Sequence, residues 1–197
     1  MDAQHQKILL KVCGITRQED ATACEQLGVD FCGFVFHPAS PRYIAPEKVA
    51  LIQTSHCKRV GVFTTHNMQE ILETLVLARL DYAQLHGRQT DAVVHALGGH
   101  RVIRVVFPGE GLSPAGPAAP SVAYTLFDSG YGTGKAFDWK LLEGATRPFF
   151  VAGGLNAQNL PDLLKVCRPD GVDLNSGVEI APGIKSAERI QEVKELL

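Results

Sequence analysis

Short apolar runs rich in β-branched and aromatic residues alternate along this chain with stretches whose apolar positions recur every three or four residues. The first run, Ile8–Leu10, passes through Lys11 and Val12 to Cys13 and is broken by Gly14. Thr16 then stands as a helix N-cap candidate, with Glu19 three residues on completing a capping box. Ala21, Cys24 and Leu27 at three-residue steps predict a helix buried on one side, closed by Gly28. Further strands are expected at Phe31–Phe36, Arg59–Phe63, Tyr82–Leu85, Val102–Phe107, Val122–Phe127, Phe149–Ala152 and Gly171–Leu174. Between them fall helices starting at Pro46, after Thr65 or Asn67, and from Thr90. Later ones are expected near Asp138–Leu142, from an Asn156 cap to Val166, and from about Ser186. Pro108–Pro120 is too crowded with proline and glycine for a helix and reads as a loop replacing one.

Eight strands, each followed by a helix or its substitute, predict a single α/β domain over residues 1–197, a closed (β/α)8 barrel with a degenerate fifth helix. An open doubly wound sheet is the alternative, but no GxGxxG follows the first strand. A net charge of −2 offers no electrostatic case for nucleic acid or an anionic membrane. No apolar stretch approaches the roughly 18 residues of a membrane span, and the polar N-terminus lacks a secretory h-region. Five dispersed cysteines without a CxxC pair argue against a disulfide framework and for a cytoplasmic location. The histidines show no metal-binding spacing, so neither a metal nor a cofactor is expected.

A parallel barrel places its chemistry at the carboxyl ends of its strands. Those positions supply Cys13, a loop with Arg42, His86, Asp128, the Gly153-Gly154 turn, and Ser176-Gly177. A free cysteine on an apolar strand is usually a small core residue. Lys11 shares a strand face with Cys13, however, and its ammonium is expected to draw the thiol pKa down toward neutrality. Asp128 ends an apolar strand before a glycine-rich loop, a good place for a general acid or base. Arg42 offers a bidentate clamp for a carboxylate. The two glycine-containing turns after the seventh and eighth strands suit a phosphate cradled by backbone N–H groups. The inventory points to a phosphorylated small molecule, which such a barrel could convert or merely bind. A Schiff-base aldolase would have to use Lys11.

The motifs KVCGIT (11–16), GFVFHPASPRYI (33–44), GVF (61–63), QLHG (84–87), GTGKAFDW (132–139), AGGLN (152–156) and GVDLNSGVE…PGIK (171–185) together resemble the phosphoribosylanthranilate isomerase family, in order and over nearly the whole chain. The resemblance implies the Amadori rearrangement of N-(5-phosphoribosyl)anthranilate in tryptophan biosynthesis. It implies Asp128 as general acid, Cys13 as general base, and Arg42 on the anthranilate carboxylate. His86 joins the substrate-binding set, and Gly153, Gly154, Ser176 and Gly177 hold the phosphate. Two positions depart from the family pattern, Tyr131 in the glycine-rich loop and Ser186 after PGIK. The sequence leaves monomer and homodimer equally open.

Overall fold

The structure, a computed structural model, describes residues 7–87, 91–108, 122–130 and 137–197. Eight parallel strands close into a barrel in chain order: β1 (Leu9–Val12), β2 (Phe31–Val35), β3 (Lys58–Phe63), β4 (Tyr82–Leu85), β5 (Val102–Val106), β6 (Tyr124–Phe127), β7 (Phe149–Val151) and β8 (Gly171–Leu174). The ring shuts where β1 pairs with β8, Lys11 opposite Asp173 and Val12 opposite Leu174. Around it lie α1 (Gln18–Gln26), α2 (Pro46–Leu51), α3 (Met68–Leu77), α4 (Asp91–Leu97), α5 (Leu160–Val166) and α6 (Ala187–Lys194). After β6 the described residues form only a 3-10 turn, Trp139–Leu142, whose first turn is capped by the Asp138 carboxylate. After β8 come a 3-10 turn, Ser176–Val178, and a small antiparallel hairpin of β9 (Glu179–Ala181) and β10 (Ile184–Lys185). The stretch expected to replace a fifth helix, from residue 109 on, and the loop carrying Tyr131 lie outside the described residues.

Side chains alternate across each strand, so every strand feeds two cores. Outward residues such as Leu10, Val12, Phe34 and Leu174 pack against the helices in one large cluster with Ile71, Leu163 and Ile190. Inward residues make a smaller cluster on the barrel axis, with Phe31, Val60, Ile103, Leu126 and Phe150 at its heart. Phe31 meets Phe150 edge-on with centroids 5.5 Å apart, and Tyr124 meets Phe150 at 4.9 Å. This floor is complete only because residue 171 is glycine: a Cβ there would stand 2.2 Å from the Phe150 ring.

Two expected helix starts are corrected. Arg17, not Thr16, holds the N-cap position of α1, without a side-chain cap bond, and the Thr16 hydroxyl instead donates to the Gly183 carbonyl at 2.6 Å. A carbonyl from the β9–β10 hairpin thus takes the hydroxyl that the capping box would have used. Helix α5 begins at Leu160 rather than at an Asn156 cap. The Asn156 side chain accepts from the N–H groups of Gln158 and Asn159, an Asx turn that delays the helix. Asn67 rather than Thr65 caps α3, accepting from Gln69 and Glu70, and Ser186 caps α6.

Candidate active site

Cys13 lies one residue past β1, its N–H bonded to the Leu174 carbonyl at 2.8 Å, so the β1–β8 ladder fixes its backbone. Its side chain is 6% exposed and packs with Val35 and Val62. Below it the Lys11 ammonium is fully enclosed and donates to Asp173 Oδ2 at 2.6 Å. The other Asp173 carboxylate oxygen, Oδ1, is buried without a hydrogen-bond partner. Burial works against the Lys11 ammonium, but Asp173 and Cys13 outweigh it and hold the lysine above its ordinary value. The same burial lifts the Asp173 carboxyl, with Lys11 opposing.

The thiol departs from expectation. Burial pushes Cys13 up and Asp173 adds to this, so the pull of Lys11 and Lys185 toward thiolate does not prevail. The alternation that aligns Lys11 with Cys13 holds. Removing the thiol from water outweighs the favourable charges of the two lysines.

Asp128 follows β6 on the same rim as Cys13, with its N–H bonded to the Val106 carbonyl at 3.1 Å and its carboxylate accepting from the Gly130 N–H at 3.1 Å. It lies within electrostatic reach of both His86 and Asp173. His86, after β4, is anchored through its backbone N–H to the Phe63 carbonyl at 2.8 Å, and its ring meets Phe107 edge-on at 5.4 Å. Burial pushes its imidazole below the ordinary 6.5 despite the nearby Asp128.

Arg42 reaches the rim from the loop after β2 and grips Glu179, Nε to Oε1 at 2.9 Å and Nη2 to Oε2 at 2.7 Å. Glu179 also accepts from Lys185 Nζ at 2.7 Å and the Gly183 N–H at 3.1 Å. One buried carboxylate therefore joins the loop after β2 to the hairpin after β8 and aims the guanidinium. Glu179 and Lys185 lie in motifs visible in the sequence. The pairing of Glu179 with Arg42, 137 positions away, is not, because nothing local marks it.

Gly153 and Gly154 follow β7 with φ of 91° and 66°, left-handed backbone that favours glycine. A Cβ on Gly153 would also stand 2.8 Å from the Ser129 N, so the turns after β6 and β7 touch. Ser176 and Gly177 sit in the 3-10 turn after β8. Beside the Ser176-Gly177 turn opens a cleft of about 320 Å³ lined by Asn156, Ala157, Gln158, Ser176, Gly177, Arg189 and Glu192; Gly153 and Gly154 are not among its lining residues. Arg189, from α6, donates to the Glu179 carbonyl and was not singled out by the sequence reading. Every sequence-expected site residue thus lies at the carboxyl end of the barrel. Cys13, Arg42, His86 and Asp128 ring the mouth, and Gly153, Gly154, Ser176 and Gly177 flank it after β7 and β8.

The family model for N-(5'-phosphoribosyl)anthranilate (PRA) isomerase matches residues 10–195. The chain belongs to this family. It is 44% identical over 194 residues to the N-(5'-phosphoribosyl)anthranilate isomerase of Maridesulfovibrio salexigens, covering 93% of this chain and 95% of that one. The crystal structure of the phosphoribosyl anthranilate isomerase from Thermus thermophilus superposes with a TM-score of 0.88 at 36% identity, covering 96% and 98% of the two chains. A further isomerase structure, solved in complex with reduced 1-(o-carboxyphenylamino)-1-deoxyribulose 5-phosphate, superposes with a TM-score of 0.80 at 30% identity, covering 96% and 97%. The closed eight-stranded parallel barrel is that of the family, and this chain is an isomerase. No helix among the described residues is long and apolar enough to cross a membrane.

Proposed function

We propose that this chain catalyses the Amadori rearrangement of N-(5'-phosphoribosyl)anthranilate to 1-(2-carboxyphenylamino)-1-deoxyribulose 5-phosphate in tryptophan biosynthesis, with Asp128 as general acid and Cys13 as general base. Asp128 protonates the furanose ring oxygen as its bond to C1 breaks, and the anthranilate nitrogen lone pair forms the protonated Schiff base. Cys13 then takes the proton from C2. The released C–H pair makes the C1–C2 double bond and neutralises the nitrogen, giving an enolamine that tautomerises to the ketone. Arg42 holds the anthranilate carboxylate, and His86 borders the bound sugar. The N–H groups of Gly153, Gly154 and Gly177, with Ser176, hold the phosphate.

The observation that carries this reading is the placement of Cys13 and Asp128 on one rim, on strands separated by β7 and β8, with the Lys11–Asp173 pair within reach of both. The complex of the related isomerase with a reduced, phosphorylated aminoketose supports the substrate class. Loss of anthranilate fluorescence on adding substrate measures turnover. Cys13→Ser and Asp128→Asn should each lower kcat by about 10²–10⁴-fold, the usual loss of a positioned acid or base, with KM much less affected. Unchanged turnover in Cys13→Ser would remove the thiol from the mechanism.

A further inference from the structure

The interior of the barrel is apolar at its floor and turns ionic one step higher, at Lys11 and Asp173. The two are register partners on adjacent strands, so both side chains point to the axis side by side. An ion pair at this depth carries a large desolvation cost for each ion, and packed apolar residues commonly serve stability as well or better. The floor just beneath shows this chain filling the same space with rings and aliphatics. A buried pair here calls for a use beyond holding the barrel together.

The Lys11 ammonium, bonded to Asp173, lies on the same strand face as the Cys13 thiol and acts on it electrostatically. Gly33 on β2 makes that meeting possible, since a Cβ there would stand 2.8 Å from Cys13 Sγ and 3.1 Å from Lys11 Nζ. We propose that Lys11, pinned by Asp173, is a positioning residue for the Cys13 base, its charge fixed against the sulfur so that it stabilises the thiolate. This rests on the reading of Cys13 as the base. Burial already lifts the thiol, and without Lys11 it would rise further. The direct effect of Asp173 on the thiol is opposite in sign and weaker than that of Lys11, so its service is to keep the lysine charged where burial would strip its proton. Of the other groups that face this cluster, Lys185 favours the thiolate and Arg42 interacts with it, but both are engaged with Glu179. From the opposite strands Asp128 acts on Asp173, and His86 and Lys11 repel one another.

Lys11→Met should move the ascending limb of the kcat/KM pH profile to higher pH by about one unit or more, the effect of losing an opposite charge at this range. At neutral pH kcat should fall about tenfold or more, with KM little changed. Lys11→Met/Asp173→Asn leaves no buried charge unpaired and carries the test should the single variant not fold. Its alkaline shift should be present but smaller, because Lys11 acts on the thiol more strongly than Asp173. Thiolate ultraviolet absorbance, taken as the difference between each variant and the same variant bearing Cys13→Ser, reads the thiol without relying on turnover. A thiol midpoint at the wild-type pH in the folded variants would overturn the proposal, even if kcat fell through disturbed packing. Wild-type turnover in Cys13→Ser would instead overturn the base assignment, and it is a separate measurement.

Discussion

At His86 the loss of water outweighs an attractive neighbour. Burial favours the neutral imidazole, and Asp128 only partly offsets it. A histidine whose native pKa lies below its unfolded value binds fewer protons folded than unfolded. Stability is therefore fully present above the unfolded value of about 6.5 and is lost as pH falls through the lower native one. Proton NMR of the imidazole should show a midpoint below 6.5, and the pH dependence of the urea midpoint should weaken below neutrality when His86→Gln is introduced. The same competition explains what was legible at this scale. That Cys13, Asp128 and His86 stand at the barrel rim, with Arg42 on a loop above it, was legible because strand ends can be read from apolar runs and their breaks. The sign of the Cys13 shift was not, because alternation reports that Lys11 is near and says nothing of how deeply the thiol is enclosed.

Among the elements, the β9–β10 hairpin depends on a single carboxylate. Glu179 accepts from Arg42, Lys185 and the Gly183 N–H, and removing its charge leaves two cations facing each other. Glu179→Gln should cost about 2–3 kcal/mol in urea unfolding at neutral pH, below the 3–5 kcal/mol of fully buried pairs because Arg42 is partly exposed. Burial alone would raise the Glu179 carboxyl, but Arg42 and Lys185 outweigh it and hold the pKa below 4.5. The stability it lends is thus complete above about 4.5 and lost as pH falls through the lower native value, so wild type and variant should converge in acid. Element boundaries show where sequence reading stops. Asn67 and Ser186 cap their helices as their neighbours in sequence suggest. Thr16 does not, because its partner carbonyl lies 167 residues away.

For the molecule as a whole, stability and chemistry occupy opposite ends of the barrel. Gly171 admits the Phe150 ring to the floor, far from the rim that holds Asp128 and His86. Gly171→Ala should destabilise by about 1–3 kcal/mol through overpacking, read as a lower urea midpoint, while kcat of the folded fraction stays at the wild-type value. The closed architecture was legible because eight apolar runs recur with helical or helix-breaking stretches between them. The register in which the ring closes was not, since no local pattern sets Lys11 opposite Asp173. That pairing has a temporal consequence for a chain made from its N-terminus. The lysine emerges early and its carboxylate counter-ion more than 160 residues later, so the sulfur meets its finished surroundings only when the seam between first and last strands zips shut. On the proposed mechanism, a nascent or partly opened chain carries an unprimed thiol, and competence for turnover arrives together with the intact ring.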